Sequence, residues 1–110
     1  MIRAEVVLDG AGLFTSCSVS GHAGAGPKGG DIVCAAVSVL TRTVLQVLSG
    51  RKGIIVRSEA PERGVFHIEA EGAPESREFL AAAGAFLQEG LLSVSDEYPD
   101  FCTVMIKRRK

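Results

Sequence analysis

His22 and Cys34 are the side chains best equipped for chemistry, and they are joined by Gly21-His22-Ala23-Gly24-Ala25-Gly26-Pro27-Lys28-Gly29-Gly30-Asp31-Ile32-Val33-Cys34. An ionised thiol is a strong nucleophile and an imidazole titrates near neutrality, so the imidazole can take the thiol proton and later deliver it to a leaving amine. That pair is the core of acyl transfer by a cysteine nucleophile. The glycines between the two let the chain fold back so that the side chains meet. If Asp31 caps the helix that follows, Cys34 is its third position, where unpaired backbone N–H groups and the helix dipole favour a thiolate and could help hold an oxyanion. The same residues also have a plain structural reading. A cysteine within Ile32-Val33-Cys34-Ala35-Ala36-Val37 packs as a core residue, and a histidine beside glycine is solvated. Residue type and spacing leave both readings open.

The elements that must position the pair follow from periodicity. Ile2, Ala4, Val6 and Leu8 alternate with polar residues and predict a strand over 2–8. Asp9-Gly10-Ala11-Gly12 supplies a turn, and residues 13–20 alternate again, with Leu13, Thr15, Cys17 and Val19 on one side. Gly21 to Gly30 holds five glycines and a proline, which predicts a loop. From Asp31 to a stop at Gly50 the pattern is helical and apolar around most of its circumference. Such a central, buried helix needs cover from a sheet and from a second helix or a second subunit. Residues 53–57 and 65–70 predict a second hairpin, with Ser58 to Gly64 as an exposed turn. Residues 75–95 predict a second helix with Phe79 and Phe86 in its packing, and 101–106 a last strand before Lys107-Arg108-Arg109-Lys110. The order is ββαββαβ in a single domain over 1–110, an α+β fold with a largely antiparallel sheet packed with two helices.

Composition narrows the function classes. With 12 basic and 13 acidic residues in 110, net charge −1, no broad electrostatic drive toward nucleic acid or an anionic membrane exists. The strongly apolar run Ile32 to Leu40 is far short of the ~20 residues that span a bilayer, and the N-terminus lacks a secretory pattern, so no membrane partner and a cytoplasmic location are expected. Three cysteines, Cys17, Cys34 and Cys102, without a C-x-x-C pair argue against a disulfide framework and a zinc site. Cys17 and Cys102 read as structural, and His67 as a packed or surface strand residue.

The stretch G-H-A-x(6)-G-D-I-V-C-A-A-V-S, residues 21–38, together with chain length, element order and Glu97-Tyr98-Pro99, resembles the ribosomal-processing cysteine proteases of the Prp family. The resemblance covers essentially the whole chain. It implies a homodimeric endopeptidase, without cofactor, that removes an N-terminal extension from protein twenty-seven of the bacterial large ribosomal subunit by cutting after an aromatic residue. It further implies His22 as general base and Cys34 as nucleophile, with Asp31 and Ser38 at matching positions. Physically, Asp31 can cap the helix or orient His22, and Ser38 lies one turn after Cys34, where it can face the site or bond back to the backbone. The family more often has alanine and an acidic residue where this chain has Gly26 and Pro27. Gly24, Gly26, Gly29 and Gly30 are expected to form a mobile substrate loop that closes over an extended peptide.

Competing chemistries are weaker. Phosphate binding at the glycine-rich segment would want Gly-Lys-Ser/Thr at the helix start, where Gly30-Asp31-Ile32 places an acidic residue. A cysteine phosphatase would need an arginine closer to Cys34 than Arg42. The remaining alternative is a non-enzymatic ribosome-associated module that binds a peptide or RNA, using the loop and the basic tail. The absence of tryptophan and the single tyrosine, Tyr98, give that module little with which to stack bases.

Overall fold

Ile2, Ala4 and Val6 are buried along one side of the first strand, β1 (Ile2–Leu8), as period-two alternation requires. The computed structural model describes residues 1–21, 28–62 and 64–109, and of residues 28–31 the backbone alone. A tight turn leads into β2 (Phe14–Ser20). Asp9 builds that turn: its carboxylate accepts from the Leu13 N–H at 2.9 Å and the Ala11 N–H at 2.8 Å, and Gly12 takes a φ of 85°. These donors, Leu13's foremost, hold the Asp9 carboxyl below its ordinary range.

β2 departs from the alternation expected of it. Leu8 faces Phe14 while Val7 faces Ser16, so Thr15 is an extra residue whose hydroxyl donates to the Val7 carbonyl at 2.9 Å. This bulge shifts the phase of the strand. Phe14 enters the core in place of Leu13 and Thr15, and Cys17 stays buried.

The first helix, α1 (Lys28–Ser49), buries Val33, Val37, Val44 and Leu48. It starts three residues before the expected cap at Asp31, so Lys28, Gly29 and Gly30 belong to the helix backbone and not to a loop. Two glycines disfavour this by ~1 kcal/mol each relative to alanine, but extending an existing helix is easy once it is nucleated, and Pro27 directly precedes the first helical residue. The outer face leaves Ile32, Val39 and Val47 exposed. By length and hydropathy (mean 1.8) Ile32–Ser49 could cross a membrane, a property the shorter run Ile32 to Leu40 did not suggest; its buried stripe packs in the protein core.

β3 (Ile54–Glu62) pairs antiparallel with β4 (Val65–Gly72). Most of the expected turn at 58–64 is therefore strand. β3 is an edge strand, and its register slips between Glu59 and Glu62, which is where a sheet tolerates Pro61. A single 3₁₀ turn (Pro74–Ser76) leads into α2 (Arg77–Glu97), which buries Leu80, Gly84, Leu87 and Leu91. Phe79 packs against the core as expected, whereas Phe86 does not. Phe79 is half-buried beneath the Arg51 guanidinium, 4.1 Å from its ring centre, and Phe86 is 63% exposed. The last strand, β5 (Cys102–Arg108), runs parallel to β1 and takes in part of the basic tail, with Lys107 paired to Glu5 at 3.1 Å.

The sheet order is β3-β4-β2-β1-β5, with one parallel pair, so the fold is the mostly antiparallel α+β arrangement in ββαββαβ order. Both helices cover one face, α1 over β3 and α2 over β2 and β5. Close approach is made by glycine: a Cβ on Gly84 would collide with buried Phe14, and one on Gly90 would lie 2.7 Å from Leu40 of α1. Gly84→Ala should therefore lower unfolding free energy by about 1–2 kcal/mol, the overpacking cost exceeding the helix-propensity gain. Gly50→Ala, which meets nothing nearer than 3.7 Å, should stay within about 0.5 kcal/mol. Urea denaturation of the two variants measures the contrast.

Candidate active site

The direction of Cys34 is set by the residues around it on α1. Val33, Val37, Val44 and Leu48 face the sheet, and Leu40 meets α2 at Gly90. At 100° per residue, Cys34, Ser38 and Arg42 then form a stripe on the flank turned away from α2. There Cys34 is half-buried and opens into a cavity of about 470 Å³. Val37, Ser38, Thr41 and Arg42 continue the helical wall, while Ile2, Val19, Val65 and Phe66 supply the apolar sheet side and Ala60 and Glu62 the end of β3. Thr41 is buried, and its hydroxyl donates to the carbonyls of Val37 (3.0 Å) and Ser38 (3.2 Å), which matches it against the apolar lining. Ser38 is exposed at the cavity edge, and its hydroxyl makes no hydrogen bond to another described residue.

Gly21 lines the same cavity and pins the chain at its rim. Its φ is 97°, its N–H donates to the Gly64 carbonyl at 3.0 Å, and any Cβ there would collide with the Met1 carbonyl. Only glycine fits. The next residue in the chain is His22, which lies outside the described residues, as do Gly24 and Gly26. The side chain of Asp31 does so too, although its backbone falls in the first turn of α1, which removes it from the capping position. The other histidine, His67, sits on the opposite, open face of the sheet. Its Nε2 is hydrogen-bonded with the Glu69 carboxylate at 3.0 Å and its Nδ1 with the Ser18 hydroxyl at 2.6 Å. Ser18 and His67 line neither described cavity, Glu69 lines only the one that holds no thiol, and the neighbouring backbone is committed to the sheet ladder.

The early start of α1 makes Cys34 its seventh residue. Only the first four N–H groups of a helix lack internal partners, so the Cys34 N–H is used within the helix and is not available to an oxyanion, contrary to the reading that placed Cys34 third. Accessibility separates the three thiols. Cys17 is fully buried and desolvation pushes its ionisation up to about 12, and burial likewise raises Cys102. Among the described residues no three His, Cys, Asp or Glu side chains gather as metal ligands. A second cavity, of about 490 Å³, lies at the opposite end of the strands between Asp9, Arg57, Glu71 and Arg77, and holds no thiol.

The model of the family described as Cysteine protease Prp matches residues 1–103. The chain belongs to that family. Its fold is shared with SMU.848 from Streptococcus mutans, at 27% identity and a TM-score of 0.83 over 99% of this chain and 96% of that one. Two structures of the essential ribosomal processing protease Prp from S. aureus also match. One, in complex with a substrate peptide, has 21% identity and a TM-score of 0.82, and the other, with a covalently linked product peptide, has 22% and 0.81. Both cover 97% of this chain and 100% of the other. A comparison with curated proteins finds no match. This Prp-family chain is thus a cysteine protease, and Cys34 is its accessible thiol. Arg42, Thr41, Gly21 and the end of β3 were not singled out from sequence. The four-residue spacing of Cys34, Ser38 and Arg42 was the available signal for Arg42, whereas Pro61 disguised the extension of β3.

Iodoacetamide at pH 8 should modify Cys34 alone in the native protein, with Cys17 and Cys102 reacting only after denaturation, as read by peptide mass mapping. Equal labelling of all three without denaturant would contradict the burial.

Proposed function

We propose that this Prp-family protease removes an N-terminal extension from protein twenty-seven of the bacterial large ribosomal subunit, with Cys34 as nucleophile and His22 as general base. The observation that carries the reading is a lone accessible thiol lining an apolar cavity whose rim is Gly21, the residue bonded to His22. An apolar cavity suits an aromatic side chain before the scissile bond. His67 is on the wrong face of the sheet, which leaves His22 as the one remaining histidine in the sequence.

In this mechanism the imidazole of His22 takes the Cys34 proton as sulfur attacks the scissile carbonyl carbon. The imidazolium then protonates the departing amine as the C–N bond breaks, leaving a thioester. Water, deprotonated by His22, attacks that thioester, and the carboxylate product leaves as the thiol is restored. The covalently linked product peptide on the S. aureus protease is consistent with a thiol route of this type. Ser38 lies one helical turn from the reacting sulfur as a polar group at the cavity edge.

The test is cleavage of a peptide carrying the extension, followed by mass spectrometry. Cys34→Ser and His22→Ala should each reduce turnover by at least a thousandfold while retaining the wild-type circular dichroism spectrum, and activity surviving in Cys34→Ser would remove the mechanism. Work in the cytoplasm, where thiols stay reduced, fits this chemistry. A homodimer is part of the same reading, because Val39 and Val47 of α1 and Phe86 of α2 are exposed apolar residues on the outer helical layer. Sedimentation velocity should give a dimer, and Val47→Asp with Phe86→Asp should shift it toward monomer; an unchanged dimer would place the contact elsewhere.

A further inference from the structure

Among the described residues lining the cavity beside Cys34, two are charged, Arg42 and Glu62, and both are exposed, so they stand at its rim. Two other arginines have partners: Arg57 lies 4.0 Å from Glu69, and Arg51 covers Phe79. Arg42 has no ion pair with any described residue. It is a guanidinium held at the edge of an apolar cavity, on the same stripe of α1 as the reactive thiol.

The spacing gives that charge a position relative to a bound peptide. Eight residues at ~1.5 Å each put Arg42 roughly 12 Å along the helix axis from Cys34. An extended peptide advances ~3.3 Å per residue, so the same distance spans three to four residues. A guanidinium binds a carboxylate through paired N–H donors, and apolar walls reduce the screening such a pair suffers in open water. Resting on the protease reading above, we propose that Arg42 is a specificity residue that pairs with an acidic side chain of the peptide substrate, three or four residues from the scissile bond. Glu62, the other charge on the rim, opposes this preference and disfavours acidic side chains near the end of β3.

The test separates recognition from cutting. A fluorescent peptide spanning the cleavage sequence is prepared with Glu, Gln or Lys at each of four positions on either side of the scissile bond, and its binding to the Cys34→Ala protein is measured by anisotropy. Glu should bind about threefold to fivefold tighter than Gln at a position three or four residues from the bond, and the ratio should approach one in high salt. Arg42→Gln should abolish the ratio, Arg42→Lys should retain part of it, Arg42→Glu should turn it into a preference for Lys, and Glu62→Gln should enlarge it. Arg57→Gln, which lies outside this cavity, should leave the pattern as in wild type. The proposal is overturned if no position distinguishes Glu from Gln, or if the preference survives Arg42→Gln. Cleavage of the same peptides by protein with Cys34 intact is scored in parallel. Charge-dependent binding without cleavage sinks the protease reading and keeps the role of Arg42, whereas cleavage indifferent to charge sinks Arg42 alone.

Discussion

The packing of α1 on the sheet is the constraint from which the site follows. Val33, Val37, Val44 and Leu48 must leave water together, and each such side chain contributes roughly 1.5–3 kcal/mol when fully buried. Rotating the helix by one residue, 100°, would expose that stripe, so the azimuth of every other residue on α1 is fixed. Cys34, Ser38 and Arg42 then have one place to go: the flank opposite Leu40, where the helix does not touch α2. A thiol in an apolar run is ordinarily a core residue; here it lies just off the buried stripe, close enough to be half-covered and far enough to line a cavity.

The contrast with the other two cysteines shows that position, not residue type, makes a thiol available. Cys17 is locked on β2 by the bulge at Thr15, which sets both Phe14 and Cys17 facing the helices. Cys102 is the first residue of β5, beside Ile2 in the parallel pairing with β1. Both are covered by the layer that exposes Cys34. The sheet's open face carries the reverse pattern, since polar side chains across β3, β4 and β2 link Arg57, Glu69, His67 and Ser18 into one exposed chain. That chain is a set of solvated cross-strand contacts, and it keeps His67 away from the thiol by the thickness of the sheet.

Much of this was legible in the sequence because local pattern and burial agree. Ile2, Ala4 and Val6 alternate in the sequence and in the strand, and Leu80, Leu87 and Leu91 recur at helical spacing and are buried. The misread elements are those where a non-local partner overrides a local signal. Pro61 and the charges around it look like a turn, yet β4 extends β3 past them because an edge strand can place proline at a register slip. Thr15 looks like part of an alternating strand, yet the bulge turns the phase so that Phe14 can meet Gly84. Phe86 has helical spacing with core residues, but lies on the outer side of α2. For the site, the motif from residue 21 to residue 38 pointed to Cys34. The cavity could not be read from it, since Ile2, Val19, Ala60 and Phe66 come from four different strands.

The depth of Cys34 in α1 also changes what its chemistry requires. At the third position of a helix a thiolate would face unpaired N–H groups, and the helix end alone could favour its charge. At the seventh position the four orphan N–H groups belong to residues 28–31, the preceding turns, and the dipole's influence has already decayed over that distance. The helix therefore contributes orientation more than charge stabilisation. In the mechanism proposed above, stabilisation of the sulfur's charge therefore falls to the imidazolium partner more than to the helix, because an ion pair next to apolar walls is more stable than either charge alone. For the pairing proposed above, Gly21 is the fixed point next to His22 in the chain, held by its bond to the Gly64 carbonyl and by a conformation that only glycine fits, while the helix fixes the sulfur.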